Sequence, residues 1–293
     1  MPTPPLVQTV RRRRLGSALR TFRKNAGFHT SDSAAQAVGW DASKINRIEN
    51  AKAHLPIKDV KPLLEAYGVT DETVVTAMEE LARDANKVGW WSNYGDLPET
   101  NYKDYIGLEE DAEATRIYLP GVLPGLLQIP QYAREIITAT AITRTSDEVS
   151  ALVEMRKKRQ AILTDTTRPG GPLNLWAVIH ESTLHYRSAT HPSLMREQLR
   201  HLLDMADRPN ITIQVMPILT NPHPGMAGPF HIVRFPHPWP TVISVETLRG
   251  GTFAEGTDDV KVYEAAFERI VAAALPVDDS REKIKSIMED DTS

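Results

Sequence analysis

TSDSAAQAVGWDASKINRIEN, residues Thr30 to Asn50, is the stretch whose reading decides the rest of the chain. Ser31 or Asp32 is placed to cap a short first helix, since a side-chain oxygen there accepts from the amides that open a helix. Ala34, Ala35 and Val38 supply the small apolar positions that two closely crossing helices need. Gly39 ends that helix, because glycine takes the left-handed, helix-terminating conformation without steric cost. Asp41 follows directly as the N-cap of a second helix. The turn of a helix-turn-helix is thereby specified from both sides.

In the second helix Ile45 and Ile48 stand three apart on the buried side, which leaves Ala42, Ser43, Lys44, Asn46, Arg47 and Asn50 facing outward. That face is short, polar and basic. Asn bonds an adenine edge, Ala touches a thymine methyl, Ser bonds either base type, and Lys or Arg holds phosphate or guanine. The pattern suits the major groove of double-stranded DNA. The competing reading is an ordinary helical hairpin with a solvated basic side.

Outward from this stretch, Leu15, Ala18, Leu19, Phe22 and Ala26 recur at helical spacing and Gly27 closes a support helix. Pro56 opens a fourth helix with Val60, Leu63 and Leu64 apolar. Pro62 inside it requires a kink or a late start. Asp71 caps a fifth, carrying Val74, Val75, Met78 and Leu81. Met1 to Val10 is proline-rich and unpatterned, a disordered tail. Arg11–Arg14 then reads either as an arm reaching phosphates or the minor groove, or as a solvated helix start.

Length and charge agree with two domains. At 293 residues the chain exceeds one average domain, and no apolar run approaches the roughly 20 residues that span a bilayer. The N-terminus lacks the apolar core of a signal peptide, which points to the cytoplasm and, for a DNA binder, to the nucleoid. With no cysteine there is no disulfide, thiolate metal site or thiol catalysis. The net charge of −4 divides unevenly: residues 1–70 carry 12 Lys+Arg against 5 Asp+Glu, and residues 71–293 carry 22 against 33. A basic segment suits phosphate, and the acidic remainder must face away from it.

SKINRIENAK, residues 43–52, and LRTFRKNAG, residues 19–27, resemble the recognition helix and first helix of the Cro and phage-repressor DNA-binding domains, the xenobiotic-response-element-like type. The resemblance implies that Ala42, Ser43 and Asn46 touch bases and that Arg23 pairs with Glu49 to clamp helix 1 onto helix 3. It puts a phosphate contact at Thr30 or Ser31, while the outward face of the second helix offers Lys44, Arg47 and Asn50 to phosphate or base. The segment Gly27 to Gly39 is one residue longer than usual in that family, and the glutamine that commonly opens its second helix is here Thr30 or Ser31.

GWWSNY (89–94), YIGLEEDA (105–112) and LPGLLQIPQYAR (123–134) resemble the two-domain actinobacterial regulators whose C-terminal half has no assigned biochemistry. Such regulators are compared with antitoxins and are often encoded beside a small acidic partner protein. Read from the residues alone, Trp90, Trp91 and Tyr94 are a packing cluster at the domain junction or a stacking platform.

Beyond residue 148 the pattern is mixed. Glu148 to Leu163 reads as a helix whose run Arg156–Arg159 is a solvated face. Leu173–His180, Ile211–Met216, Phe230–Phe235 and Thr241–Glu246 read as strands, with helices at Leu194–Ala206 and Asp259–Ala274. The expected fold is an N-terminal all-α five-helix helix-turn-helix domain and a C-terminal α+β domain with a mainly antiparallel sheet. Domain limits are 1–10 for the tail, 11–87 for the DNA-binding domain and 88–293 for the regulatory and dimerisation domain.

Chemistry is not legible in the second domain. His180 and His185 flank Glu181 but stand five apart, about 140° around a helix, so they do not form a zinc-protease pair. His223, His231 and His237 lack ligand spacing. Gly170-Gly171 and Gly250-Gly251 are not phosphate loops. No metal, cofactor or catalytic set is expected. The loop Asn221–Pro229 either walls a ligand pocket or connects two strands. The leading expectation is a homodimeric, sequence-specific transcription regulator that binds an operator and a partner protein or ligand. Its rivals are a small-molecule sensor with a pocket near 221–229 and a regulated enzyme.

Overall fold

The computed structural model describes residues 10–85, 89–95, 97–140, 143–237, 239–247 and 250–290. The chain divides into two compact units, Met1–Asn93 and Tyr94–Ser293. Of the expected tail, only Val10 falls among the described residues.

The first unit holds five helices among those residues: α1 (Val10–Asn25), α2 (Ser31–Val38), α3 (Ala42–Glu49), α4 (Ile57–Ala66) and α5 (Glu72–Asp84). Leu19, Ala34, Ile45, Leu64 and Met78, one from each helix in turn, are buried. Burying an aliphatic side chain of this size contributes about 1.5–3 kcal/mol. Helices of eight residues, α2 and α3, would be marginal alone and are held by this packing. α4 starts at Ile57 and runs through Pro62.

Two expectations fail here. The cap of α2 is Thr30, not Ser31 or Asp32. Its backbone is extended (φ −117°, ψ 159°), so its hydroxyl accepts from the Ser33 amide at 3.2 Å, whereas Ser31 and Asp32 have already entered the helix. Nor do Arg11–Arg14 form an arm. All four lie in α1, Arg14 is buried, and the Arg11 guanidinium sits 5.7 Å from the Trp91 ring centre.

The second unit is α+β. α6 (Thr100–Asp111) leads into β1 (Ala114–Leu119), and α7 (Pro130–Thr140) and α8 (Ser146–Arg159) cross over to β2 (Asn174–His180). α9 (Leu194–Ala206) then leads to β3 (Ile211–Met216). β4 (Phe230–Arg234), β5 (Val242–Thr247) and β6 (Gly250–Ala254) follow, and α10 (Thr257–Ala273) and α11 (Val277–Asp290) close the chain.

The sheet order is β3-β2-β1-β4-β5-β6. β1, β2 and β3 pair in parallel because helical crossovers join them, and β1/β4, β4/β5 and β5/β6 pair antiparallel. Antiparallel pairing thus predominates in a mixed sheet. Tyr118, Val178, Phe230, Ile232 and Ile243 point from one face into a core shared with Phe267 and Ile270 of α10.

α6, α7, β1, β6 and α11 were not foreseen. In β1 the apolar alternation is broken by Arg116, whose guanidinium bonds Glu264 at 3.1 Å and Glu268 at 2.7 Å. In β6 two glycines dilute the strand signal. The Arg156–Arg159 run is a solvated face only in part: Lys157 and Lys158 are exposed, whereas Arg159 is buried and Arg156 half-buried. The Trp90 and Trp91 rings meet edge-on at 5.9 Å, and neither is buried.

Candidate nucleic-acid interface

The α2–turn–α3 unit is built by its caps. Gly39 takes φ 71° and ψ 30°, and the Trp40 amide bonds the Ala35 carbonyl at 3.0 Å, closing α2. Asp41 is extended and accepts from the Ser43 amide at 2.7 Å, opening α3. The Ser43 hydroxyl and amide together hold the Asp41 carboxyl below its ordinary range. Ile45, Ile48 and Glu49 face inward.

On the outer side of α3, Ser43, Asn46, Arg47 and Asn50 are exposed and Ala42 is half-buried. Thr30, exposed, spends its hydroxyl on the cap of α2, and Ser31 is its half-buried first helical residue. Lys44 is held back: its ammonium lies 3.5 Å from the Trp40 ring centre and 3.1 Å from the Asp59 carboxylate.

Arg23 of α1 and Glu49 of α3 form a buried, bidentate ion pair, Nε to Oε1 at 2.7 Å and Nη2 to Oε2 at 2.9 Å. Arg23 also donates to the Phe28 carbonyl at 2.6 Å, so one guanidinium ties the end of α1, its exit loop and α3 together. The Glu49 hydrogen bond raises the Arg23 pKa, against the lowering effect of burial. Nearby, burial pushes the Tyr67 hydroxyl up to about 12.

Two supporting residues were missed by the sequence reading. A Cβ on Gly16 would lie 2.5 Å from the Glu49 carbonyl oxygen and 2.9 Å from that of Ile48, so the α1 backbone passes directly against the end of α3. Arg20 donates to the Glu49 carbonyl at 3.0 Å and to Asn50 Oδ1 at 2.8 Å. Arg20 precedes Arg23 by one near-turn of helix, and that spacing is the signal that could have found it.

In the second unit the polar residues converge on a buried cluster. Arg159 is ion-paired with Glu109, its Nε against Oε2, and donates from Nη2 to Glu109 Oε1 at 3.2 Å and from Nη1 to the Tyr102 hydroxyl at 2.9 Å. Burial alone would raise the Tyr102 hydroxyl, but Arg159 and Arg156 outweigh it and hold that group below its usual value. The Tyr105 hydroxyl, kept protonated by burial, lies 2.6 Å from Nδ1 of His231. The other ring nitrogen of His231, Nε2, stands 3.5 Å from the Glu246 carboxylate. These contacts join α6, α8, β4 and β5.

The histidines singled out in sequence stand apart. His180 Nδ1 faces the Ser182 hydroxyl at 2.8 Å, and His185 lies 3.8 Å from Glu181, whose nearer partner is Lys283 at 2.8 Å. Among the described residues no group of three or more His, Asp or Glu is arranged to hold a metal. The loop at 221–229 is capped by His223, which accepts from the Gly225 amide at 3.1 Å, and the Tyr118 ring fills the space behind Gly225.

Residues 14–77 match a family model described as a helix-turn-helix domain, and residues 102–286 match one described as a domain of unknown function, DUF5753. No curated protein and no solved structure matches the chain. The second match covers more than half of the chain, which therefore belongs to the DUF5753 family and carries its helix-turn-helix domain on the N-terminal side.

Proposed function

We propose that this protein is a sequence-specific, Cro-type transcription regulator in which α3 enters the major groove of an operator. Ala42, Ser43 and Asn46 meet base edges. Arg47 and Asn50 meet phosphate or base, and Lys44 joins them when it leaves Asp59. Thr30 and Ser31 approach phosphate at the start of α2. The observation that carries this reading is the exposed polar face of α3 set on a buried ion pair, Arg23–Glu49, which fixes its base.

The second unit, residues 94–293, carries 20 Lys+Arg against 28 Asp+Glu, so phosphate repels it. We assign it dimerisation and the binding of a partner protein or ligand, within the cytoplasm. Two-fold pairing lets two short reading helices add their contacts on a palindromic site.

The test compares variants on specific and random duplexes. Ser43→Ala and Asn46→Ala each lose about 1–3 kcal/mol on the specific site with little change on random DNA. Arg47→Ala flattens the dependence of log affinity on log salt by about one unit. Equal losses on both duplexes for the first pair, or an unchanged slope for Arg47, would contradict these assignments.

A further inference from the structure

The residues of the α3 face are joined in a directed chain. Glu49 accepts from Arg23 and Arg20, and Arg20 Nη2 donates to Asn50 Oδ1 at 2.8 Å. Asn50 Nδ2 in turn donates to Asn46 Oδ1 at 2.7 Å and to the Asn46 carbonyl at 2.8 Å. The direction of this chain is dictated by one property of arginine: it has five donors and no acceptor. The Asn50 atom beside Arg20 must be its oxygen, so the Asn50 amide nitrogen faces Asn46. The Asn46 atom that meets a donor must then be its own oxygen. What remains turned away from the chain is the Asn46 NH2 group.

Resting on the reading of Asn46 as a base contact, we propose that Arg20 and Asn50 are specificity-determining positioning residues that lock the Asn46 amide so that it offers the operator a hydrogen-bond donor. A free asparagine side chain turns over and presents either end. Locked, it suits bases with a major-groove acceptor, which are guanine through O6 and N7, adenine through N7 and thymine through O4. Cytosine shows only its N4 amino donor there, so the position read by Asn46 rejects cytosine.

The experiment selects duplexes from a random-sequence pool with the full chain and identifies the position whose preference Asn46→Ala erases. Affinities for the four bases at that position are then measured for the wild type, Arg20→Ala, Asn50→Ala and Asn50→Asp, with far-UV circular dichroism to verify folding. The wild type is expected to bind the cytosine duplex roughly ten- to a hundredfold more weakly than the best base. Arg20→Ala and Asn50→Ala shrink that penalty to a few-fold, because the freed amide can offer its oxygen to N4.

Asn50→Asp keeps an acceptor for Arg20 but loses both bonds to Asn46, because its second oxygen is repelled by the Asn46 backbone carbonyl that Asn50 Nδ2 meets at 2.8 Å. The Asn46 amide is freed and the cytosine penalty shrinks as it does in Asn50→Ala. A purely structural role for Asn50 would weaken all four duplexes alike and leave that penalty unchanged. If Asn46→Ala erases one position while the Arg20 and Asn50 variants leave cytosine excluded, the relay is wrong and the base-reading assignment stands. A wild type that accepts cytosine also overturns the relay. If Asn46→Ala erases no position, the base reading itself fails and the relay falls with it.

Discussion

Arg23 and Glu49 show how much single residues decide in the first unit. Both are buried, and each is the other's principal counter-charge. Removing one leaves the other desolvated with only a weaker partner, the longer Arg20 contact at 3.5 Å for Glu49 and the Phe28 carbonyl for Arg23, so Arg23→Ala or Glu49→Ala should cost about 3–5 kcal/mol in unfolding free energy. The double variant Arg23→Met with Glu49→Leu should recover much of that, since neither charge is stranded. Urea unfolding of the three variants measures this, and a single variant within 1 kcal/mol of the wild type would contradict it. At this scale the sequence was informative where polarity alternates sharply: Gly39, Asp41, Ile45 and Ile48 announce the turn and the second helix. Arg20, Gly16 and Trp40 stayed silent because their importance lies in backbone proximity and long-range contacts, which periodicity does not encode.

Between elements, the α1–α3 crossing is set by Gly16. A methyl group there would meet two backbone carbonyl oxygens below 3.0 Å, and a backbone cannot swing aside as a side chain does. Gly16→Ala should therefore destabilise the first unit by about 1–3 kcal/mol or more, despite alanine's better helix propensity. Thermal unfolding checks this, and a variant more stable than the wild type would refute the crossing.

In the second unit the equivalent junction is the buried cluster of α6, α8, β4 and β5. Burial first, and Arg159 second, hold His231 below its ordinary pKa of 6.5 against the pull of Glu246. The folded state then binds fewer protons than the unfolded one below about pH 6.5, so stability is complete above that value and falls as the pH drops. Melting temperature should decline on acidification from pH 7 toward 5, and His231→Asn should flatten part of the decline. His201 and His223, shifted the same way by burial, add to the decline. An unchanged profile in the variant would deny His231 this part. Arg159 was misread in sequence because a run of four basic residues looks solvated, whereas its carboxylate partner is 50 residues away in α6.

Across the whole chain, charge separates the two units more clearly than any motif does. Residues 1–93 carry 14 Lys+Arg against 10 Asp+Glu, and residues 94–293 carry 20 against 28. The division into a helical and an α+β part was legible because the apolar period changes from helical to alternating. The parallel half of the sheet was less so. β1 is separated from β2 by two helices, and its pairing follows from crossover geometry that local sequence does not specify.

The central claim, that the α3 face reads DNA sequence, is tested most directly by measuring the full chain's affinity for its selected duplex against a scrambled duplex at the same salt. The account predicts a two-fold symmetric selected sequence bound at least about 10³-fold more tightly than the scrambled one. Equal binding to both duplexes, or no enriched sequence, would contradict it.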